Sequence, residues 1–427
     1  MATQPNLNDK SLPSKGLSFR AKSLPVLIVG FFLLYFYSGL QNDHLNVLIP
    51  YYSKLGWDAV TITNPVTYAG FAVIIATFFV GTLLIRFGVK QVLVPSIVIL
   101  ALSAFGLGAA GKNMLFYNIS LFTMRLFVVP LVMGCFMLCT NWFVKQRGRA
   151  LGIVAAGHQM CTATLIAGLT GIVSTYSFQA AYSIVGVVLL AIAVYCAFAV
   201  KSTPEEFGLW PDGAEASPTK SVERQMTLSE VFANKNSWLL VISFGFLQFA
   251  IVGVMAFYVP RLSMVGTDPA IYLLWLSISA FVGIPLAYLM GMIDDKFGTV
   301  TAAIVLSGFY LLALVFLLIM QPNNVMMIIG AALGIAGMTG GTSVIHPSIT
   351  AYVYGRENYQ AANRWIMALQ AFIMAFAIFY MSKILDATHS LNLGYEGMIA
   401  MVGVAIVCFL LIGRSSDYDR GDVSKQK

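Results

Sequence analysis

Two stretches decide the fold: GTLLIRFGVK at residues 81–90 and GMIDDKFGTV at residues 291–300. In each, a glycine is followed after four residues by a basic residue, a phenylalanine and a second glycine. Each stretch also follows an apolar run of about twenty residues. Because the match occurs at corresponding places in the two halves of the chain, it indicates an internal repeat.

The composition outside these stretches is that of a membrane protein. Hydrophobic residues make up 59% and charged residues 10% of the 427 residues, and the mean hydropathy is +0.82. A soluble domain needs about a quarter of its residues charged. Backbone polar groups in lipid must be satisfied internally, so only helices or a closed barrel can span a bilayer. The long apolar runs lack strict alternation, and the sequence therefore predicts an all-α integral membrane protein.

The apolar runs fall into two sets of six predicted spans. The first set is 24–50, 66–85, 91–110, 114–142, 150–173 and 177–200, and the second is 237–260, 270–292, 299–320, 324–352, 360–382 and 394–413. The predicted organisation is an N-terminal tail (1–23), a first six-helix half (24–200), a linker (201–236), a second six-helix half (237–413) and a C-terminal tail (414–427).

Positive charge predicts the orientation. Most of the 25 lysines and arginines lie in the two tails, the linker and alternate connections. This distribution predicts that both termini lie on the cytoplasmic side of a bacterial-type inner membrane.

Other classes of partner and processing are not expected. The net charge is +7, but the basic residues do not form a face interleaved with aromatic residues, so no nucleic-acid partner is expected. The five cysteines show no paired framework. No cleavable signal peptide is expected, because residues 1–23 are polar and the first apolar run is too long.

The paired loops resemble the GxLxDRxG motif of the major facilitator superfamily. Ile85 stands where the motif has aspartate, whereas the second copy keeps Asp295 and replaces arginine by Lys296. The resemblance implies twelve transmembrane helices in two six-helix pseudo-repeats and a latch between helices at the cytoplasmic face. The loop residues concerned are Gly81, Arg86, Gly88, Gly291, Asp295, Lys296 and Gly298.

Further stretches resemble particular branches of that family. Residues 141–152 and the linker start, PEEFGLWPDG at 204–213, resemble the oxalate/formate antiporter and monocarboxylate transporter branches. The oxalate/formate group carries a lysine at the position of Gln370, and its absence argues against oxalate. DHLN at 43–46 resembles the DRxN motif of the anion:cation symporters, with His44 in place of arginine.

Ionisable residues within predicted spans are the main functional candidates, since each is costly in lipid and needs a partner or a wet cavity. Arg125 can clamp a carboxylate through two parallel hydrogen bonds, or it can form a structural ion pair with Asp43. Asp43 is the expected proton-coupling residue, with His44 as the second choice, although Asp43 could also be a helix-end aspartate exposed to outside water. The histidines suit either a proton relay or a hydrogen-bonded interior. The predicted substrate-binding residues are Arg125, Tyr37, Gln41, His158, Gln159, Gln248, His346 and Gln370.

The sequence predicts a secondary active transporter of a small organic anion, with a monocarboxylate favoured, that uses proton coupling or anion exchange. The alternatives are a transporter of a neutral or amphipathic solute and, less favoured, a transporter-derived sensor. No nucleotide loop, zinc motif or nucleophile elbow occurs in the sequence, so no enzyme activity, cofactor or metal is expected. The expected partners are the solute, protons or a counter-anion, and lipid, and the expected state is a monomer.

Overall fold

The structure is a computed structural model that describes residues 15–57, 59–213 and 226–413. The C-terminal tail, most of the N-terminal tail and the middle of the predicted linker lie outside the described residues. Within the described ranges the chain forms helices and turns and contains no strand.

Fifteen α-helices are found in the described part of the chain. They are α1 (Lys15–Ser38), α2 (Leu45–Lys54), α3 (Ala59–Phe87), α4 (Val89–Ala109), α5 (Met114–Phe127), α6 (Val129–Trp142), α7 (Arg147–Thr175), α8 (Phe178–Ala199), α9 (Leu228–Ala233), α10 (Lys235–Met264), α11 (Pro269–Phe297), α12 (Thr299–Leu318), α13 (Val325–Ala375), α14 (Ala377–Thr388) and α15 (Asn392–Leu411).

Twelve stretches of the described residues are long and apolar enough to cross a membrane, which confirms the predicted all-α fold with twelve spans. They are Phe19–Gln41, Asn64–Phe87, Val89–Ala109, Met114–Trp142, Arg147–Thr175, Phe178–Ala199, Lys235–Met264, Pro269–Phe297, Thr299–Leu318, Val325–Arg356, Asn358–Thr388 and Asn392–Leu411. The tenth and eleventh spans share α13, in which Gly355 at φ 67° marks the turn between them.

Two spans of the first half are interrupted where the sequence predicts continuous helices. In the first span, a π-helical turn (Gly39–Asp43) separates α1 from α2, and the His44 N–H donates to the Gly39 carbonyl at 2.9 Å. In the fourth span, α5 and α6 are separated at Val128. Pro130 explains the second break, because it has no N–H to donate and its ring crowds the carbonyl of Leu126.

The repeated loops adopt matching backbone conformations. Gly88 has φ 86° and ψ 162°, and Gly298 has φ 91° and ψ 155°, so both positions need a residue without a side chain. Arg86 and Lys296 lie over the rings of Phe87 and Phe297 at 5.4 and 5.3 Å. The recurring sequence pattern therefore encodes the same turn twice. The end of the molecule that carries both loops and the linker is called the linker face, and the opposite end the outer face.

The two halves meet closely at the linker face through α7 and α11. A Cβ atom added to Gly148 would lie 2.4 Å from the Gly291 carbonyl oxygen, and one added to Gly152 would lie 2.9 Å from the Tyr288 Cα. Towards the outer face, by contrast, a Cβ added to Gly171 of α7 would meet nothing within 4 Å. The linker face is closed in this structure, because backbone touches backbone there.

Candidate substrate and coupling site

The π turn of the first span presents two functional candidates to different neighbours. Gly39 allows the turn to approach α7, since a Cβ there would lie 2.4 Å from Leu165. The Asp43 carboxylate accepts a hydrogen bond from Thr162 at 3.2 Å and one from Ser38 at 3.4 Å. The Cys161 thiol also lies within hydrogen-bonding reach of Asp43. His44 instead packs against Tyr182 of α8. π turns of this kind occur frequently at functional sites.

Arg125 lies in the last turn of α5, just before the break at Val128. Its positive charge is within electrostatic reach of Tyr37 and His44. The Tyr37 side chain is hydrogen-bonded to Gln41. The broken fourth span and the π turn thus bring together Arg125, Tyr37, Gln41 and His44, all of which the sequence singled out.

The predicted pairing of Arg125 with Asp43 stays a prediction. The contacts described for Asp43 are with the hydroxyl and thiol groups of Ser38, Cys161 and Thr162, whereas Arg125 acts on Tyr37 and His44. The hydroxyl partners were missed at the sequence level. Thr162 lies 119 residues from Asp43, and a single threonine one turn after His158 carries no distinctive signal.

The middle of α7 brings a further candidate to the boundary between the halves. Gln159 is buried, and the Thr339 hydroxyl of α13 donates to its Oε1 at 3.5 Å. A Cβ on Gly283 of α11 would lie 2.7 Å from the same oxygen. Gln159 therefore contacts two helices of the second half. His158, the preceding residue, is partly buried, and its carbonyl accepts from Thr162 at 3.4 Å.

The candidates in the second half form a separate buried group. His346 Nε2 donates to Gln370 Oε1 at 2.7 Å, and Gln370 Nε2 donates to the Leu240 carbonyl at 3.0 Å. The ring of Phe244 meets His346 edge-on at 4.8 Å. His346 and Gln370 thus join α13 to α10, while Gln248 of α10 is partly exposed.

The second repeated loop binds the start of α7. Asp295 accepts hydrogen bonds from the backbone N–H groups of Gly148 at 2.8 Å and Arg149 at 3.0 Å, and the Arg149 side chain lies 3.5 Å from the same carboxylate. The first N–H groups of a helix have no partner within the helix and favour negative charge. Asp295 therefore caps α7 of the other half.

The first loop meets the second half through a different contact, in which a hydroxyl and not a carboxylate is the acceptor. The Arg364 guanidinium donates to the Thr82 hydroxyl at 2.7 Å, and a Cβ on Gly81 would lie 2.6 Å from the Arg364 Cβ. Ile85, which replaces the aspartate of the motif, supplies no acceptor.

Two further contacts at the linker face were not foreseen. Arg147 is buried and donates to the Ser348 side chain at 3.4 Å and to its carbonyl at 3.3 Å, while the Ser348 hydroxyl donates to Asp294. Arg356 and Glu205 form a two-pronged ion pair at 2.6 and 2.8 Å. Burial alone would raise the pKa of Glu205, but the hydrogen bonds and charge of Arg356 outweigh it, so its pKa lies below the ordinary value.

Comparison with known proteins agrees with this architecture. Residues 31–361 match the Major Facilitator Superfamily. The chain is 24% identical over 298 residues to the uncharacterized MFS-type transporter YhjX of Escherichia coli (strain K12), which covers 66% of this chain and 69% of that protein.

Solved structures share the fold. A variant of the E. coli fucose:proton symporter FucP superposes with a TM-score of 0.70 at 13% identity, covering 94% of this chain and 100% of that one. The proton:xylose symporter XylE, bound to 6-bromo-6-deoxy-D-glucose, gives 0.67 at 15% identity, covering 93% and 95%.

This chain therefore belongs to the Major Facilitator Superfamily. It is a multi-pass membrane protein and a secondary transporter, not an enzyme.

Proposed function

We propose that the protein transports a small organic anion, a monocarboxylate with an apolar body, by alternating access. The coupling is to protons or to a counter-anion. The linker face is the cytoplasmic face, so that both termini lie inside the cell, as the distribution of lysine and arginine supports.

The position of Arg125 carries the proposal. A guanidinium stays charged at any physiological pH and presents a planar fork that matches a carboxylate. The charge of Arg125 reaches Tyr37 and His44, and the Tyr37 side chain is hydrogen-bonded to the amide of Gln41. One fixed cation among aromatic and amide groups suits a solute with one carboxylate and an apolar remainder better than a dicarboxylate, which would leave its second charge unpaired.

Asp43 is the proposed proton carrier. Thr162 and Ser38 can donate to its carboxylate, and either hydroxyl can rotate to accept when the carboxyl is protonated. A pair of hydroxyls tolerates both protonation states of the carboxyl, because each hydroxyl can donate to the charged form or accept from the protonated one. Proton uptake at Asp43 and anion binding at Arg125 then favour each other through charge balance.

A neutral polar solute is the second candidate. The solved structures of similar fold are named as fucose and xylose symporters. Gln159 and Gln248 provide amide groups of the kind that bind hydroxyls. In this case Arg125 would serve the structure of the first half rather than the solute.

The experiment that separates the two candidates is uptake into proteoliposomes of labelled monocarboxylates, dicarboxylates, sugars and neutral amphipaths, each with and without a pH gradient. A monocarboxylate should accumulate, and Arg125→Lys should abolish most of its binding because an ammonium cannot reproduce the two-pronged contact.

The matched control is Arg261→Lys. Arg261 is a buried arginine of α10 that donates to the Leu317 and Leu318 carbonyls at 2.8 and 2.7 Å, which are structural contacts. Accumulation of sugars alone, or an Arg125→Lys protein with wild-type affinity and thermal stability, would contradict the anion proposal.

A further inference from the structure

Four buried residues with polar groups lie together between α2, α5, α8 and the π turn. They are His44, Tyr52, Tyr117 and Tyr182, and all four are fully buried. Tyr52 and Tyr117 have ring centroids 4.6 Å apart, and His44 and Tyr182 are 6.4 Å apart. We call this group the His44 chamber. His44 packs against Tyr182 of α8 in this group, whereas the preceding residue, Asp43, contacts Thr162 of α7.

The tyrosines of the chamber act on one another electrostatically. The hydroxyls of Tyr52 and Tyr117 are within electrostatic reach of the Tyr182 hydroxyl. The Phe178 ring packs against two of these tyrosine rings, with centroids 5.6 Å from Tyr52 and 4.7 Å from Tyr182. The Tyr117 hydroxyl donates to the Ile62 carbonyl at 2.8 Å, which leaves its oxygen able to accept.

Most of these polar atoms have no protein partner. Among the described residues, neither ring nitrogen of His44 and neither hydroxyl of Tyr52 and Tyr182 is hydrogen-bonded. Buried polar groups are hydrogen-bonded in the great majority of native proteins, either to protein or to ordered water. A single buried polar atom without a partner can be tolerated. Here there are four such atoms on three side chains, and a buried water molecule needs two to four polar partners.

The chamber is enclosed and lies near the outer ends of α5 and α8. Phe178 is the first residue of α8, and Tyr117 lies in the first turn of α5. Tyr117 and Arg125 are separated by eight residues of one helix, or about 12 Å along its axis. Among the four members, His44 is the one for which an electrostatic effect of Arg125 is found.

We propose that the His44 chamber holds internal water and conducts protons between the outer face and the coupling site at Asp43. This inference rests on the proton-coupled form of the proposed function. It assigns a route for the proton, whereas the proposed function assigns only its carrier.

The chemistry of the chamber suits conduction rather than storage. A tyrosine hydroxyl, a water molecule and a neutral imidazole each accept one hydrogen bond while donating another. A proton that arrives at one ring nitrogen of His44 is matched by the release of another proton from the second nitrogen, so the ring is neutral before and after. Arg125 repels a lasting positive charge on that ring. The proton is then stored at the neighbouring Asp43, whose hydroxyl partners tolerate both states.

Removing single hydroxyls tests the conduction. Tyr182→Phe and Tyr52→Phe keep the rings and their packing but break the chain of donors and acceptors. Proton-driven uptake should fall about tenfold or more, whereas solute exchange at equal pH should stay within about twofold of the wild type. The matched control is Tyr395→Phe in the second half. Tyr395 is fully buried with an unpartnered hydroxyl, but it stands beside Arg261 and not in a cluster.

A second measurement tests the water without any solute. Hydroxyl-radical footprinting labels side chains beside bound internal water, so Tyr52 and Tyr182 should be labelled well above Tyr310. Tyr310 is equally buried, but its hydroxyl is bonded to Thr342 at 2.7 Å.

The outcomes separate the two proposals. Labelling of Tyr52 and Tyr182 no higher than that of Tyr310, or equal transport by the Tyr182→Phe and Tyr395→Phe proteins, overturns the chamber while leaving proton coupling intact. If uptake by the wild-type protein does not depend on the pH gradient, proton coupling is refuted, and proton conduction through the chamber is refuted with it. Selective loss of proton-driven uptake together with selective labelling supports the route.

Discussion

Adding one methyl group at Gly291 should open the linker face. The Cβ of Gly291→Ala would lie 2.2 Å from the Gly148 carbonyl oxygen, 2.7 Å from its carbonyl carbon and 3.1 Å from the Arg149 nitrogen. All three atoms are backbone, so no side chain can rotate out of the way. Helices α7 and α11 must therefore separate locally, and the hydrogen bonds from Gly148 and Arg149 to Asp295 lengthen with them.

The size of the change in the open-to-closed ratio depends on how much Gly291→Ala destabilises the closed state of the linker face. Overpacking of this kind costs about 1–3 kcal/mol. The cost arises only when the linker face is closed, because the two helices must move apart when it opens. The better helix propensity of alanine acts in both states and cancels in their ratio. The ratio of open to closed protein should therefore rise about 5- to 150-fold.

The rate at which a maleimide labels a cysteine at a buried position of the linker face measures that ratio. Gln360 is buried beside Gly81 at the linker face, and the five native cysteines, which are buried as well, would first be replaced. A maleimide should then label Gln360→Cys faster in the Gly291→Ala protein. The control is Gly308→Ala on α12, where an added Cβ meets nothing within 4 Å. Equal labelling rates in the two alanine variants would refute the reasoning.

Three other predictions concern coupling, orientation and pH. Asp43→Asn should abolish pH-driven accumulation in proteoliposomes but keep solute exchange, and loss of both activities would indicate a structural role. A cysteine at Lys112 should react with an impermeant reagent from outside whole cells and one at Lys145 should not; the opposite pattern would reverse the orientation. Glu205→Gln should lower the free energy of unfolding by about 1 kcal/mol at neutral pH, given partial exposure. Since the pKa of Glu205 is depressed, this contribution is complete above its unfolded value and is lost as pH falls through the folded one. Melting temperatures of wild type and variant should therefore converge in acid, and a constant difference would contradict the role of the Arg356 pair.

The sequence predicted those features that arise from local pattern. Spans follow from runs of apolar residues, and the two loops follow from glycines that need positive φ at Gly88 and Gly298. The break after Arg125 was visible in principle, because Pro130 cannot continue a helix. The π turn was not visible, since it depends on how closely Gly39 packs against Leu165 and Cys161 of a distant helix.

The sequence proposed members for a candidate site but did not predict how they are arranged. Residues that the sequence placed in one site are distributed over separate groups, because partners lie far apart along the chain. His346 and Gln370 satisfy each other across 24 residues, and Asp43 finds Thr162 across 119. Helical periodicity gives the face on which a residue lies, but it does not show which other helix packs against that face.

The two repeated loops make different contacts at the linker face, because the first loop has Ile85 where the motif has an aspartate. Asp295 of the second loop caps α7 directly, but Ile85 of the first loop cannot cap anything. Another carboxylate does join the halves at the linker face, because Glu205 of the linker binds Arg356 in the turn that precedes the eleventh span. The other end of the linker contacts the same turn. There the N–H of Met226, a linker residue, donates to the side chain of Asn358 at 2.8 Å. The linker therefore binds this turn of the second half at both of its ends. Because Glu205 follows α8 of the first half, its pair with Arg356 joins the two halves, and movement of the halves apart at this turn would strain that pair.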